Sequence, residues 1–323
     1  MRILVTGACG FVGPYLVKAL QDLGGHEVVA SVHSHALGDR AACEGESLKS
    51  LASSVVELDV TDKMACGELI GELRPDCVYH LAGLAFAPDA AAHFERALSV
   101  NVQGPFNVCQ ALADHCPEAR MIFASSGEVY GAISDDELPI REEQPLRPMN
   151  PYSLTKAQAE DALCYFGRRT GLQIVIARPF NHFGPGQSEK FVTAAFASQL
   201  ARIAVGKQPP QLSVGNLEAR RDFTDVRDII DGYVSLLGVE AGNYNLCSGK
   251  APSIQELLDI LIEESGISVE IQQDPERMRP AEVVEVRGSY DKIHTACNWM
   301  PKRELRESLR DLYRYWLEKE QSS

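Results

Sequence analysis

Tyr152-Ser153-Leu154-Thr155-Lys156 sets a phenol and an ammonium four residues apart. Asn150-Pro151, directly before them, reads as a helix start, with Asn at the N-cap and Pro at the first helical position. On a helix, residues i and i+4 share a face, so the two groups point the same way. A fixed positive charge beside a phenol favours the phenolate and lowers its pKa. That chemistry makes Tyr152 a candidate general acid or base near neutral pH. A pair at this spacing also arises by chance, so its meaning depends on the elements around it.

Ile3-Leu4-Val5 is a short apolar run ending at Thr6-Gly7, which predicts a buried parallel strand. Gly7-Ala8-Cys9-Gly10-Phe11-Val12-Gly13 follows with GxxGxxG spacing, and Leu16, Leu20 and Leu23 then repeat at helical spacing up to Gly24-Gly25. Strand, glycine turn and helix form the context a dinucleotide pyrophosphate needs. The glycines let the backbone approach the phosphates, and the helix N-terminus offers free N–H groups. A second strand, Glu27 to Val32, ends at His33-Ser34-His35, where an NAD-preferring unit usually carries Asp or Glu. The next charged residues are Asp39 and Arg40, so the cofactor leans to NADP(H) and NAD(H) stays open. His33 and His35 receive no role.

The alternation of strand and helix continues. Val55 to Leu58 ends at Asp59-Val60, and Cys77 to Leu81 ends at Ala82-Gly83. Met121 to Ala124 ends at Ser125-Ser126, and Ile174 to Ala177 ends at Arg178-Pro179. Repeated βα units predict an α/β fold, a Rossmann-type doubly wound parallel sheet with ligands at the C-terminal strand ends. Ser126 thereby reaches the same rim as the glycine turn, and the Tyr152 helix starts after the next loop.

Beyond Pro179 the pattern changes. Phe180 to Gln187 is turn-rich, and arginines gather in Gly215 to Phe223 and in Arg277-Met278-Arg279-Pro280-Ala281-Glu282. A diphosphate clamp and ordinary surface salt bridging account for these arginines equally well. Ser253-Ile254-Gln255-Glu256 is a capping box before Leu257, Leu258, Leu261 and Ile262, and Leu305, Leu309, Leu312 and Trp316 line a last helix. The expected division is a dinucleotide-binding domain of residues 1–177 plus about 223–248. A smaller, mixed α/β C-terminal substrate domain takes about 178–222 and 249–323.

The 323 residues suffice for a full core, and the net charge of −14 with pI near 5.1 argues against a nucleic-acid groove. Nine scattered cysteines without a CxxC pair argue against a zinc site or a disulfide framework and for a reducing cytoplasm. No metal is expected. No run approaches the ~20 apolar residues of a membrane span, and Met1 to Val5 is too short for a signal core.

Thr6-Gly7-x-x-Gly10-Phe11-x-Gly13, His80-Leu81-Ala82-Gly83, Ser125-Ser126, Tyr152-x-x-x-Lys156 and Arg178-Pro179 together resemble the extended short-chain dehydrogenase/reductase family. The resemblance implies that Tyr152 carries the proton, Lys156 holds the nicotinamide ribose and Ser126 hydrogen-bonds the reacting oxygen. It also implies a cofactor set of Gly7, Gly10, Phe11, Val12, Gly13, Asp59, Val60, Leu81, Ala82, Gly83, Asn101 and Pro179, besides Tyr152 and Lys156. For Asn101 a helix-bending role fits as well as a catalytic one. The arginine-bearing loops are similar to the GDP-sugar branch of the family, which implies that Asn181, Arg221, Arg279 and Glu282 bind substrate.

That branch holds 4,6-dehydratases and 4-keto reductases. Glu128 stands where a dehydratase has its elimination acid/base, but Ser126 replaces the usual Thr, and the loop after the second strand, arginine-rich in dehydratases, has Arg40 as its single arginine. Arg147 to Tyr152, Arg178 to Gln187 and Asp274 to Pro280 most resemble the reductases. The implied activity is NAD(P)H-dependent reduction of a GDP-linked 4-keto-6-deoxy sugar to GDP-D-rhamnose. Dehydration, a 6-deoxy-talose product and epimerisation of another nucleotide sugar are the alternatives. The resemblance further implies a homodimer, formed through helices near Val102–Leu112 and Tyr152–Phe166, with no nucleic-acid or membrane partner.

Overall fold

The computed structural model describes residues 1–33, 48–275 and 284–322. Seven strands form the main sheet: β1 (Arg2–Thr6), β2 (Glu27–Val32), β3 (Ser54–Glu57), β4 (Cys77–His80), β5 (Arg120–Ala124), β6 (Gln173–Pro179) and β11 (Gly242–Leu246). Their order is β11-β6-β5-β4-β1-β2-β3, and every neighbouring pair is parallel. The order reverses between β1 and β4, which opens a crevice at the C-terminal ends of those strands. Thr6, His80, Ala124 and Pro179 therefore end on one edge, as the sequence predicts.

Both faces of the sheet are covered, which is why its central strands read as unbroken apolar runs. On one face Leu16, Val17 and Leu20 of helix Gly13–Asp22 pack with Ile229 and Tyr233 of helix Val226–Ser235. On the other, Ile70, Val108, Leu112 and Leu163 come from helices Lys63–Leu73, Gly104–His115 and Pro151–Thr170. A third apolar core joins helices Val192–Ala204, Ile254–Ser265 and Leu305–Ser322 through Leu200, Leu257, Leu261, Leu312 and Trp316.

Local signals set the helix ends. Asn150 Oδ1 accepts from Ser153 N at 2.8 Å, and Pro151 opens the helix, which closes at Gly171 with φ 82°. Ser253 and Glu256 form the expected reciprocal box, with Glu256 N donating to Ser253 Oγ at 3.1 Å and Ser253 N to Glu256 Oε2 at 2.6 Å.

The stretches expected as loops beyond Pro179 hold short strands. β7 (Asn181–Phe183) pairs with β10 (Phe223–Asp225), and β9 (Arg220–Arg221) pairs with β13 (Glu285–Val286). Strands this short show no readable alternation, and their partners lie far away in sequence. A further pair, β8 (Gln211–Val214) with β12 (Glu270–Gln273), completes the smaller lobe.

The first glycine turn depends on close backbone packing. A Cβ on Gly13 would stand 2.1 Å from the Ala8 carbonyl oxygen, with nothing flexible to move aside. Gly13→Ala is expected to destabilise the chain by about 1–3 kcal/mol through overpacking. A thermal melt checks this; an unchanged midpoint would mean that the turn relaxes freely.

Candidate active site

The strand ends open into one elongated cavity of about 1810 Å³. Single-ligand sites usually occupy roughly 300–1,000 Å³, so there is room for two molecules side by side. One end is the glycine turn. Gly7 has φ +67°, and a Cβ there would sit 2.6 Å from the Ala82 backbone. The helix that starts at Gly13 has no side-chain cap and no acidic residue in its first turn. A bare helix N-terminus suits a pyrophosphate, so these residues fit a dinucleotide.

Lys156 lines the same cavity. Its Nζ donates to Ala124 O at 2.7 Å and stands 4.8 Å from the centre of the Phe123 ring. Burial pulls its pKa down to about 8, against the upward pull of the Glu160 carboxylate. Gly83 must be small here, because a Cβ would lie 3.1 Å from Asn101 Oδ1 and 3.3 Å from Lys156 Nζ.

Tyr152 and Ser126 complete the constellation. Ser126 Oγ accepts from Glu128 N at 3.1 Å, capping the short helix Gly127–Tyr130. Burial pushes the Tyr152 phenol above its usual value, and the Glu128 carboxylate adds to the rise. A hydrogen bond with Ser126 works against both. This corrects the expectation drawn from the i, i+4 spacing, since the phenol is raised on balance. The Lys156 ammonium is turned to the Ala124 carbonyl, and burial outweighs the remaining interactions. The phenol and the Ser126 hydroxyl still meet at the cavity wall, where one can hold an oxygen and the other give it a proton.

Asn101 does not line the cavity. It is fully buried in a widened helical turn, Ser99–Gln103, which follows helix Phe94–Leu98. Its amide accepts from Leu84 N at 2.8 Å and donates to Leu84 O at 3.2 Å and Thr155 Oγ1 at 3.0 Å. The helix is deformed where this side chain enters, the pattern expected of a wide turn.

The remaining expected positions from Gly7 to Pro179 line the cavity, as do Asn181 and Arg221. Arg279, Glu282, Asp39 and Arg40 lie outside the described residues. The two central arginines separate. Arg220 ion-pairs with Glu256 and Glu285, each at 3.5 Å, on the surface. Arg221 turns into the cavity, with Nη1 donating to Arg220 O at 2.8 Å and to Val284 O at 3.3 Å. Burial lowers its pKa and Glu128 opposes that change.

His33 and Asn150 also line the cavity, beyond the site residues that the sequence predicts. His33, at the end of β2, stands with Nε2 3.4 Å from Asp59 Oδ2. Burial pushes Asp59 up, but hydrogen bonds from Thr61 and the nearby His33 hold its carboxyl below the usual value. Position after the second strand was the only available signal. Asn150 was legible as a cap, but its Nδ2 also donates to Glu128 Oε2 at 3.0 Å. Nothing in the sequence brings those two together.

The Lys156 ammonium is expected to titrate with a midpoint of about 8, well below surface lysines. Side-chain NMR of labelled lysine across a pH series checks this, and an ordinary midpoint contradicts it. Between about 8 and the ordinary lysine value the unfolded chain keeps a proton that the folded chain has released. Through that window the group makes stability rise with pH.

The family model described as GDP-mannose 4,6 dehydratase matches residues 4–312. GDP-6-deoxy-D-mannose reductase of Pseudomonas aeruginosa is 37% identical over 317 residues, covering 98% of this chain and 97% of that protein. UDP-glucose 4-epimerase 2 of Oryza sativa subsp. japonica is 31% identical over 340 residues, covering 97% of this chain and 81% of its own. Among solved structures, RMD from P. aeruginosa complexed with NADPH has TM-score 0.84 and 35% identity, covering 98% of this chain and 99% of that one. The Thermus thermophilus UDP-glucose 4-epimerase complex with NAD has TM-score 0.84 and 27% identity, covering 98% and 99%. With its glycine turn, its Tyr152–Lys156 pair and a family match running almost end to end, this chain belongs to the GDP-mannose 4,6 dehydratase family, a branch of the extended short-chain dehydrogenases/reductases.

Proposed function

We propose that the protein reduces the C4 ketone of GDP-4-keto-6-deoxy-D-mannose to GDP-D-rhamnose. The observation that carries this reading is the joining of Ser126, Tyr152 and Lys156 to Arg221 in one cavity large enough for two ligands. Likeness along 98% of the chain to a protein named GDP-6-deoxy-D-mannose reductase supports it. NADP(H) is the favoured cofactor, and NAD(H) the second. The relative bound to NADPH supports that order, as does His33 where an NAD-preferring chain has a carboxylate.

The cofactor, when bound, supplies the hydride. Gly7, Gly10 and the first turn of helix Gly13–Asp22 take its pyrophosphate, and Lys156 its nicotinamide ribose. Ser126 holds the ketone oxygen, and Tyr152 gives that oxygen its proton as negative charge develops there. Asn181, Arg221 and Arg279 take the substrate diphosphate, and Glu282 takes the ribose of its GMP part. The division at 1–177 with about 223–248, against 178–222 with 249–323, is our proposal for the two lobes. The separate apolar core around Leu200, Leu257 and Leu312 supports it.

Glu128 favours dehydration as a second reading. Its carboxylate is exposed to the cavity and anchored by Asn150, and elimination across C5–C6 needs such a group. With the purified 4-keto sugar, a reductase consumes one NAD(P)H per sugar, whereas GDP-mannose with oxidised cofactor gives little 4-keto product. Tyr152→Phe should lose roughly 10²–10⁴-fold in kcat and still bind nucleotide. Glu128→Gln should keep reduction largely intact. Brisk dehydration of GDP-mannose, abolished in Glu128→Gln, would reassign the chemistry.

We also infer a homodimer in a reducing cytoplasm. No helix among the described residues is long and apolar enough to cross a membrane, and the eight described cysteines are all free thiols. Helix Pro151–Thr170 leaves Leu154 37% and Tyr165 55% exposed, beside an edge-to-face pair of Phe106 and Phe166 with centroids 5.3 Å apart. Two copies meeting on these helices would cover that face. Light scattering at micromolar concentration should give twice the 35.4 kDa chain mass, and a monomeric mass would sink this assignment.

A further inference from the structure

Three consecutive residues at the end of β5 meet the cavity chemistry in three ways. The Ala124 carbonyl accepts from Lys156 Nζ at 2.7 Å, and Ser126 Oγ faces Tyr152. Ser125, between them, also borders the cavity, and it donates its hydroxyl to the buried Glu160 Oε1. Glu160 stands one helical turn beyond Lys156 and is 2% exposed. Its carboxylate is gripped by Arg178 of β6, itself 3% exposed. Nε donates to both oxygens at 3.1 Å, and Nη2 to Oε2 at 2.6 Å.

The network extends further. Arg178 Nη1 donates to Tyr130 Oη at 2.8 Å and to Glu142 O at 3.2 Å. Tyr130 Oη donates to Asn245 Oδ1 at 2.7 Å, and Asn245 N donates to Glu142 Oε1 at 2.8 Å. Every one of these side chains is buried. A buried ion pair contributes little stability over an apolar pair of the same shape, because desolvation offsets the attraction. Its directional hydrogen bonds do fix geometry. Here they fix the one residue whose two neighbours hold Lys156 and face Tyr152.

We propose that Glu160, locked in place by Arg178, is a positioning residue that sets the end of β5 through Ser125 and keeps Lys156 in its charged, cavity-facing state. The carboxylate cannot reach the cavity, so it acts only through Ser125 and through its charge. Of the titratable groups around Lys156, Glu160 opposes the downward pull of burial. His80, on the β4 side, is held neutral, with burial and Lys156 itself pushing its pKa down to about 3. Tyr152, on the same helix face, is kept protonated by burial. Glu160, although paired with Arg178, is therefore the carboxylate that acts on Lys156, whereas the Glu128 carboxylate acts on Tyr152.

The kinetic part of the test rests on the reductase reading, whereas the Lys156 titration needs no substrate, so the two can fail separately. In Glu160→Gln the Lys156 midpoint, read by side-chain NMR of labelled lysine, should fall by about one pH unit, the scale of a nearby charge. The alkaline limb of kcat should move with it, and Glu160→Asp, which keeps the charge, should restore most of the shift. Ser125→Ala leaves Glu160 and Arg178 paired and guards against a Glu160→Gln protein that does not fold. It should melt close to wild type and lose roughly ten-fold in kcat, with the substrate KM little changed. A Ser125→Ala enzyme with wild-type kcat overturns the positioning role. A folded Glu160→Gln protein with an unmoved Lys156 midpoint overturns the charge role.

Discussion

The buried ammonium of Lys156 is the constraint around which the rest of the cavity wall is arranged. Taking a charge out of water is costly unless other groups replace its hydration. Here the Ala124 carbonyl, the face of Phe123 and the charge of Glu160 one turn away do so. Room for the group comes from Gly83, where any side chain would press on the ammonium and on Asn101. Asn101 in turn widens its own helix to tie Leu84 and Thr155, so the wall behind the charge is braced from two helices.

The same economy of placement governs the two ends of the cavity. At the glycine turn, backbone approaches backbone and the helix start is left uncapped, so an anion can take the place of a capping side chain. At the opposite end, the two-residue strand β9 decides the fate of adjacent arginines. Successive residues of a strand face opposite ways. Arg220 therefore meets Glu256 and Glu285 outside, while Arg221 meets the cavity. Two identical side chains get different surroundings from one alternation of the backbone.

The sequence by itself determined the glycine turn, the run of parallel strands and the helix carrying Tyr152 and Lys156. All of these rest on local rules: apolar runs, helical spacing, caps at Asn150 and Ser253. It also determined that Ser126 and Tyr152 share a rim, because parallel strands connected through helices put all their C-terminal ends on one edge. Only the tertiary structure decided which way each charge leans. The raised Tyr152 phenol, the Asn150–Glu128 contact, the His33–Asp59 pair and the Ser125–Glu160–Arg178 chain all join residues from different elements. The short strands β7 and β9 likewise exist only through distant partners. Sequence spacing fixes direction within one element, whereas burial and partner charge, which set a pKa, come from elements the chain brings back from far away.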